Sequence, residues 1–131
     1  MHTTDVDLRF QDLDAAGHLN NAVYVTVIEE ARVAYLEDVL DLSLREMTIV
    51  VAALSVEFQA PVTDADVLTV ETTVTSVGES SFEMAYELLH HDTVVATAET
   101  VQVTIDPGTR DPVPIPEAWR TGIRAHEDRD T

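Results

Sequence analysis

Between Asp12 and Tyr24 the chain reads Asp12-Leu13-Asp14-Ala15-Ala16-Gly17-His18-Leu19-Asn20-Asn21-Ala22-Val23-Tyr24. A carboxylate such as Asp14 can serve as a general base or as a nucleophile. A helix starting just beyond it would offer free backbone N–H groups and a partial positive charge. One carboxylate facing one such oxyanion pocket is sufficient equipment for acyl transfer. Asp12 has the same parity as Asp14 on an extended segment and competes for that role, with a structural or surface place as the alternative. Gly17 can take a backbone conformation closed to other residues, and Asn20 or Asn21 suits the helix N-cap.

Positioning these groups requires a strand, a turn and a helix in succession. Val6, Leu8 and Phe10 alternate with Asp5, Asp7 and Arg9, the pattern of a half-buried strand ending near Phe10. From Ala22 to Leu40, Tyr24, Ile28, Ala31, Tyr35 and Val39 recur at steps of three and four, beside Val27, Ala34 and Leu36. The spacing predicts a well-buried helix of about 28 Å. Asp41 to Glu46 reads as a connector. Four further strands are expected. Leu54, Val56, Phe58 and Ala60 form the first, closed by Pro61, and Leu68, Val70 and Val74 the second, up to Gly78. Phe82, Met84, Tyr86 and Leu88 form the third, and Thr93 to Ile105 the fourth. In that last strand the apolar positions are even at Val94, Ala96 and Ala98 but odd at Val101, Val103 and Ile105. The switch implies a bulge near Glu99–Thr100 or a change in which face is covered. Short links at Thr63–Asp66, Gly78–Ser81 and His91–Asp92 suit antiparallel neighbours.

A chain of 131 residues, 45% hydrophobic, suits one globular domain. Residues 1–131 are read as that domain, with a core at about 5–106 and a Pro-rich tail at 107–131. Within the tail Glu117 to Arg124 can form a short helix, with Trp119 packing on the body, and His126 to Thr131 read as disordered. There is no cysteine, so disulfides and thiolate metal sites are excluded. Neither a signal peptide nor a membrane span is visible, which points to a soluble cytoplasmic protein. The 25 acids outnumber 7 bases for a net charge of −18, and every base is arginine. The reading adopted is adaptation to molar salt, where the Debye length falls to about 3 Å and carboxylate repulsion is tolerable. Such a charge argues strongly against nucleic-acid binding, which needs a basic footprint.

Asp12-x-Asp14-x-x-Gly17-His18-x-Asn20-Asn21-x-x-Tyr24, followed by Glu29-Glu30-Ala31-Arg32, resembles the signature of hotdog-fold acyl-CoA thioesterases of the 4-hydroxybenzoyl-CoA thioesterase type. The order of elements extends the resemblance from about Val6 to about Ile105. It implies an α+β hotdog fold, a five-stranded antiparallel β-sheet wrapped around one long central α-helix. It further implies a homodimer or dimer of dimers, joined edge to edge, with active sites at the interface. The reaction implied is hydrolysis of an acyl-CoA to free acid and CoA with no metal or organic cofactor. Asp14 matches the family's catalytic carboxylate, and the Asn21 backbone N–H is the expected oxyanion donor. Gly17, Asn20 and Tyr24 belong to the substrate site, and His18 shapes the turn and acyl pocket. Two rivals are an enoyl-CoA hydratase, which would pair Asp14 with His18, and a non-catalytic acyl-CoA binding module. Some relatives carry a catalytic acid on the helix, but Glu29 and Glu30 here suit solvation or an ion pair with Arg32. Arg45 and Arg110 are the loop arginines available to CoA phosphates. His90 and His91 are read as solvated turn residues, and His2, His126 and the scattered acids as no metal set. There is no serine nucleophile elbow, phosphate-binding glycine loop or zinc-ligand spacing.

Overall fold

The computed structural model describes residues 1–128. Its strands are β1 (His2–Asp7), β2 (Ile49–Phe58), β3 (Val67–Val77), β4 (Ser81–His90) and β5 (Thr93–Thr104), and its helices are α1 (Asn21–Leu40) and α2 (Glu117–Asp128). The strands form one antiparallel sheet in the order β1-β3-β4-β5-β2. Helix α1 packs against β1, β3 and α2. At 20 residues it is about 30 Å end to end, close to the length predicted, and a modest helix rather than a long one. Among the described residues no helix is long and apolar enough to cross a membrane.

Alternation decides which sheet face is covered. Leu68, Val70 and Val74 of β3 are buried with Phe82, Met84, Tyr86 and Leu88 of β4. They form one core with Tyr24, Val27, Ile28, Ala31, Tyr35 and Leu36, the inward stripe of α1. In β5 the buried set is Val95 and then the even positions Ala96, Ala98, Thr100, Gln102 and Thr104. The register with β4 runs without a break from Thr97 to Val103, so no bulge lies at Glu99–Thr100; the irregularity falls opposite Leu88/Leu89, where Val95 is the extra residue of β5. The parity switch arises because polar side chains turn inward while Val101 and Val103 lie half-buried on the other face. Hydrogen bonds offset part of their burial, while Gln102 Oε1 has no partner among the described residues. The Tyr86 hydroxyl bonds Thr100 Oγ1 at 2.8 Å, and Gln102 Nε2 donates to the Phe82 carbonyl at 3.0 Å.

Three other boundaries differ from expectation. β1 stops at Asp7, and Phe10 opens a 3-10 turn with 84% of its surface exposed. Beyond Asp7 the chain is redirected by Asp12, whose carboxylate accepts the Arg9 N–H at 2.8 Å. β2 begins at Ile49, five residues before its alternation becomes regular, because the register slips between Val51 and Ala53. Helix α2 runs through His126 to Asp128, where disorder was expected. Glu127 fastens it, accepting from the Tyr35 hydroxyl at 3.1 Å and the Val74 N–H at 3.2 Å. The remainder of that expectation, on Arg129 to Thr131, lies outside the described residues. Trp119 and Ile123 are buried against the core as α2 docks.

Candidate active site

The turn before α1 is a closed loop. Leu13 and Leu19 form a β-bridge, and inside it the Asp14 N–H donates to the His18 carbonyl at 2.7 Å. Gly17 N–H donates to the Asp14 carbonyl at 3.0 Å, and Gly17 takes φ 79°, the left-handed conformation expected of it. The Asp14 carboxylate is oriented by two backbone donors on the same oxygen: Ala16 N at 2.9 Å and His18 N at 3.1 Å both reach Oδ1. Oδ2 accepts no hydrogen bond among the described residues. It is therefore the oxygen available to a ligand.

At the head of α1, Asn20 is the N-cap, and its Oδ1 accepts the Ala22 N–H at 2.9 Å. The Val23 N–H goes to the Asn20 carbonyl at 2.9 Å, and the Asn20 N–H to the Asp12 carbonyl at 2.9 Å. Asn21, the first helical residue, keeps an N–H with no acceptor among the described residues, as the first turn of a helix must unless something outside caps it. Asp14, His18, Asn21 and Tyr24 line one open cavity of about 340 Å³. Four expected site residues thus share one concavity with a carboxylate and a helix N-terminus. The other two, Gly17 and Asn20, do not line it; they are the left-handed turn residue and the helix N-cap.

Tyr24 is 3% exposed and meets Phe58 edge to face, with ring centroids 5.0 Å apart. Burial raises its hydroxyl pKa, so it stays neutral. Phe58, Gln59, Ala60 and Pro61, at the end of β2, supply the opposite wall. These residues escaped the sequence reading, whose one cue was Pro61 ending the strand. No hydrogen bond joins the His18 imidazole to the Asp14 carboxylate among the described residues.

Asp12 is 7% exposed and committed to Arg9, with Nη2 at 3.0 Å in addition to the backbone N–H. The backbone hydrogen bond, then the side-chain one, hold its carboxyl below the usual range. It is a structural residue of the turn. Glu29 and Glu30 are exposed, with Glu29 3.7 Å from Arg32. Arg32 itself lies in the buried stripe of α1, 9% exposed, a place the sequence pattern did not assign to it. Arg45 and Arg110 are exposed and neither lines the cavity. His90 and His91 are not simply solvated: each places Nε2 2.7 Å from an oxygen of Asp66. A larger cavity, about 400 Å³, opens on the far face of the sheet among Glu57, Glu71, Glu87 and Glu99. Four carboxylates and no helix N-terminus make it a poor place to stabilise a developing oxyanion.

Residues 8–123 match the family described as the thioesterase-like superfamily. The chain is 30% identical over 128 residues to a 1,4-dihydroxy-2-naphthoyl-CoA hydrolase of Synechococcus elongatus, covering 92% of this chain and 93% of that one. It is 28% identical over 118 residues to the acyl-CoA thioester hydrolase YbgC of Escherichia coli, covering 86% and 88% respectively. Among solved structures, a Thermus thermophilus thioesterase complexed with coenzyme A and Zn superposes with a TM-score of 0.88 at 35% identity, covering 97% of this chain and 94% of the other. The expectation of a thioester hydrolase with a hotdog fold is met by these relatives.

Proposed function

The chain belongs to the thioesterase-like superfamily, and we propose that it hydrolyses acyl-CoA thioesters with Asp14 as its reactive carboxylate. The observation that carries this reading is the shared cavity of Asp14 and Asn21, with one carboxylate oxygen and one helix-end N–H unbonded among the described residues. In the proposed reaction Asp14 Oδ2 takes a proton from water as the hydroxide adds to the thioester carbon. The carbonyl oxygen becomes an oxyanion, which the Asn21 N–H and the positive end of α1 stabilise; one such donor is worth about 3 kcal/mol. Collapse breaks the C–S bond, and the departing thiolate recovers the proton. Direct attack by Asp14 through an acyl anhydride uses the same geometry. Tyr24, Leu19 and Phe58 give the acyl group an apolar wall.

The proposed enzyme is a homo-oligomer. β2 is an edge strand whose Val51, Leu54 and Phe58 remain 42%, 42% and 49% exposed. A ten-residue apolar edge invites pairing with another strand, and a second copy of β2 supplies one. Because Phe58 also lines the cavity, such pairing would enclose the reacting centre.

Thiol release over a panel of acyl-CoAs, in molar salt, tests the proposal. Turnover that depends on Asp14 supports it. Tight acyl-CoA binding with no thiol released would instead identify a binding module.

A further inference from the structure

The turn joining β4 to β5 and the loop joining β2 to β3 gather groups that the thioester chemistry leaves unused. His91 and Asp92 take φ 50° and 66°, both left-handed and neither glycine. Two central residues at positive φ make the hairpin turn whose twist matches its strands. Glycine, asparagine and aspartate are the usual occupants, and histidine is among the side chains that tolerate the conformation. The result is a pair of adjacent imidazoles with ring centroids 4.1 Å apart. Both reach Asp66 at 2.7 Å, one ring to each carboxylate oxygen. Asp66 is in turn anchored through its backbone, since its carbonyl accepts the Leu8 N–H at 2.7 Å. Asp64 completes the group: one of its oxygens and one ring nitrogen from each of His90 and His91 lie within 4.8 Å of one another.

We propose that Asp64, His90 and His91 bind one divalent transition-metal ion of the zinc type, with Asp66 beside them, pinning the β4–β5 turn to the β2–β3 loop. Imidazole nitrogens with carboxylate oxygens are a donor set that zinc and its first-row neighbours favour, whereas magnesium and calcium prefer oxygen alone. Ligand atoms about 2.0–2.2 Å from a tetrahedral ion lie roughly 3.3 Å from each other, so side-chain adjustment alone closes a 4.8 Å group around it. Asp66 serves either as the fourth ligand or as the hydrogen-bond partner that orients the rings. The ion is structural. None of these residues lines the Asp14 cavity. The loop it would hold nonetheless starts with Gln59, Ala60 and Pro61, in the cavity wall, and passes Val62, whose carbonyl accepts the Leu19 N–H at 2.7 Å. A clamp there would stiffen the base of the catalytic turn.

The test is titration of the chelator-stripped full chain with Co²⁺, then Zn²⁺, in a large excess of Mg²⁺ that saturates ordinary surface carboxylates. The expected result is one Co²⁺ per chain with a visible absorption band of nitrogen–oxygen coordination, displaced by Zn²⁺, and a raised melting temperature. Asp64→Asn and His91→Ala should each weaken binding by more than about 10-fold, the least that losing even an outer partner costs at such sites. The His91 side chain is 67% exposed, so its removal leaves the fold intact, which circular dichroism checks. Displacement of Co²⁺ by Mg²⁺, or unchanged affinity in His91→Ala, would overturn the proposal.

Discussion

Asp12 and Asp14 are chemically identical and share one turn, yet asparagine at each should give opposite phenotypes. The Asp12 carboxylate is 7% exposed and accepts the Arg9 N–H at 2.8 Å. Its second contact, to Arg9 Nη2, involves a side chain 68% exposed and is discounted for solvent screening. Asparagine keeps one acceptor and loses the charge, which costs about 1–2 kcal/mol. For a chain of this size that lowers the melting temperature by roughly 3–8 °C, with turnover per folded molecule unchanged. Asp14→Asn keeps an Oδ1 able to accept from Ala16 and His18, so the turn survives. Its melting temperature should stay within roughly 2 °C of the parent. Its turnover should fall about 10²- to 10⁴-fold, the worth of a general base, or about 2.7–5.5 kcal/mol in barrier. Thiol release and thermal melts in molar NaCl measure both quantities. The Asp12 effect should also depend on pH. Its folded-state pKa is lowered, so its contribution is complete above the unfolded value near 3.9 and is lost as pH falls through the folded one. The parent and Asp12→Asn melting curves should therefore converge in acid. The reasoning is refuted if Asp12→Asn loses turnover without losing stability, or if Asp14→Asn melts early with its turnover intact.

Gly17→Ala should cost about 1–2 kcal/mol from its left-handed backbone alone. A Cβ there meets nothing within 4 Å, so Gly17→Ser should melt at the same temperature as Gly17→Ala; a large difference would show a steric cause. Leu54→Glu, at a half-exposed edge position, should leave a folded monomer by light scattering and strip turnover; full activity in that monomer would contradict a site completed by a second copy. With 25 acids against 7 bases, the melting temperature should climb steeply as NaCl is raised into the molar range. A flat or falling dependence would sink the reading of salt adaptation.

Local signals were legible wherever one physical demand dominated. Gly17 needed a positive φ, Asn20 needed an N–H to cap, and the stripe from Tyr24 to Leu36 needed a core. Each produced a residue-level pattern that the fold respects. What stayed hidden was set by partners distant in the chain. The wall from Phe58 to Pro61 becomes part of the site only when β2 returns beside the head of α1. Arg32 looks solvent-bound in sequence but lies inside, with its charge near the Tyr86 hydroxyl. Thr100, Gln102 and Thr104 read as an outer face until their hydrogen bonds are known. His90 and His91 read as exposed because Asp66 is 24 positions from His90.

The first strand and the last helix meet over a single ring. Tyr35 stacks edge-on against His2 at 5.7 Å and against His126 at 5.4 Å. The topology is therefore stapled shut like a clasp, and fraying on either side of the tyrosine loosens the other. Hydrogen exchange should show β1 and α2 opening as one cooperative unit.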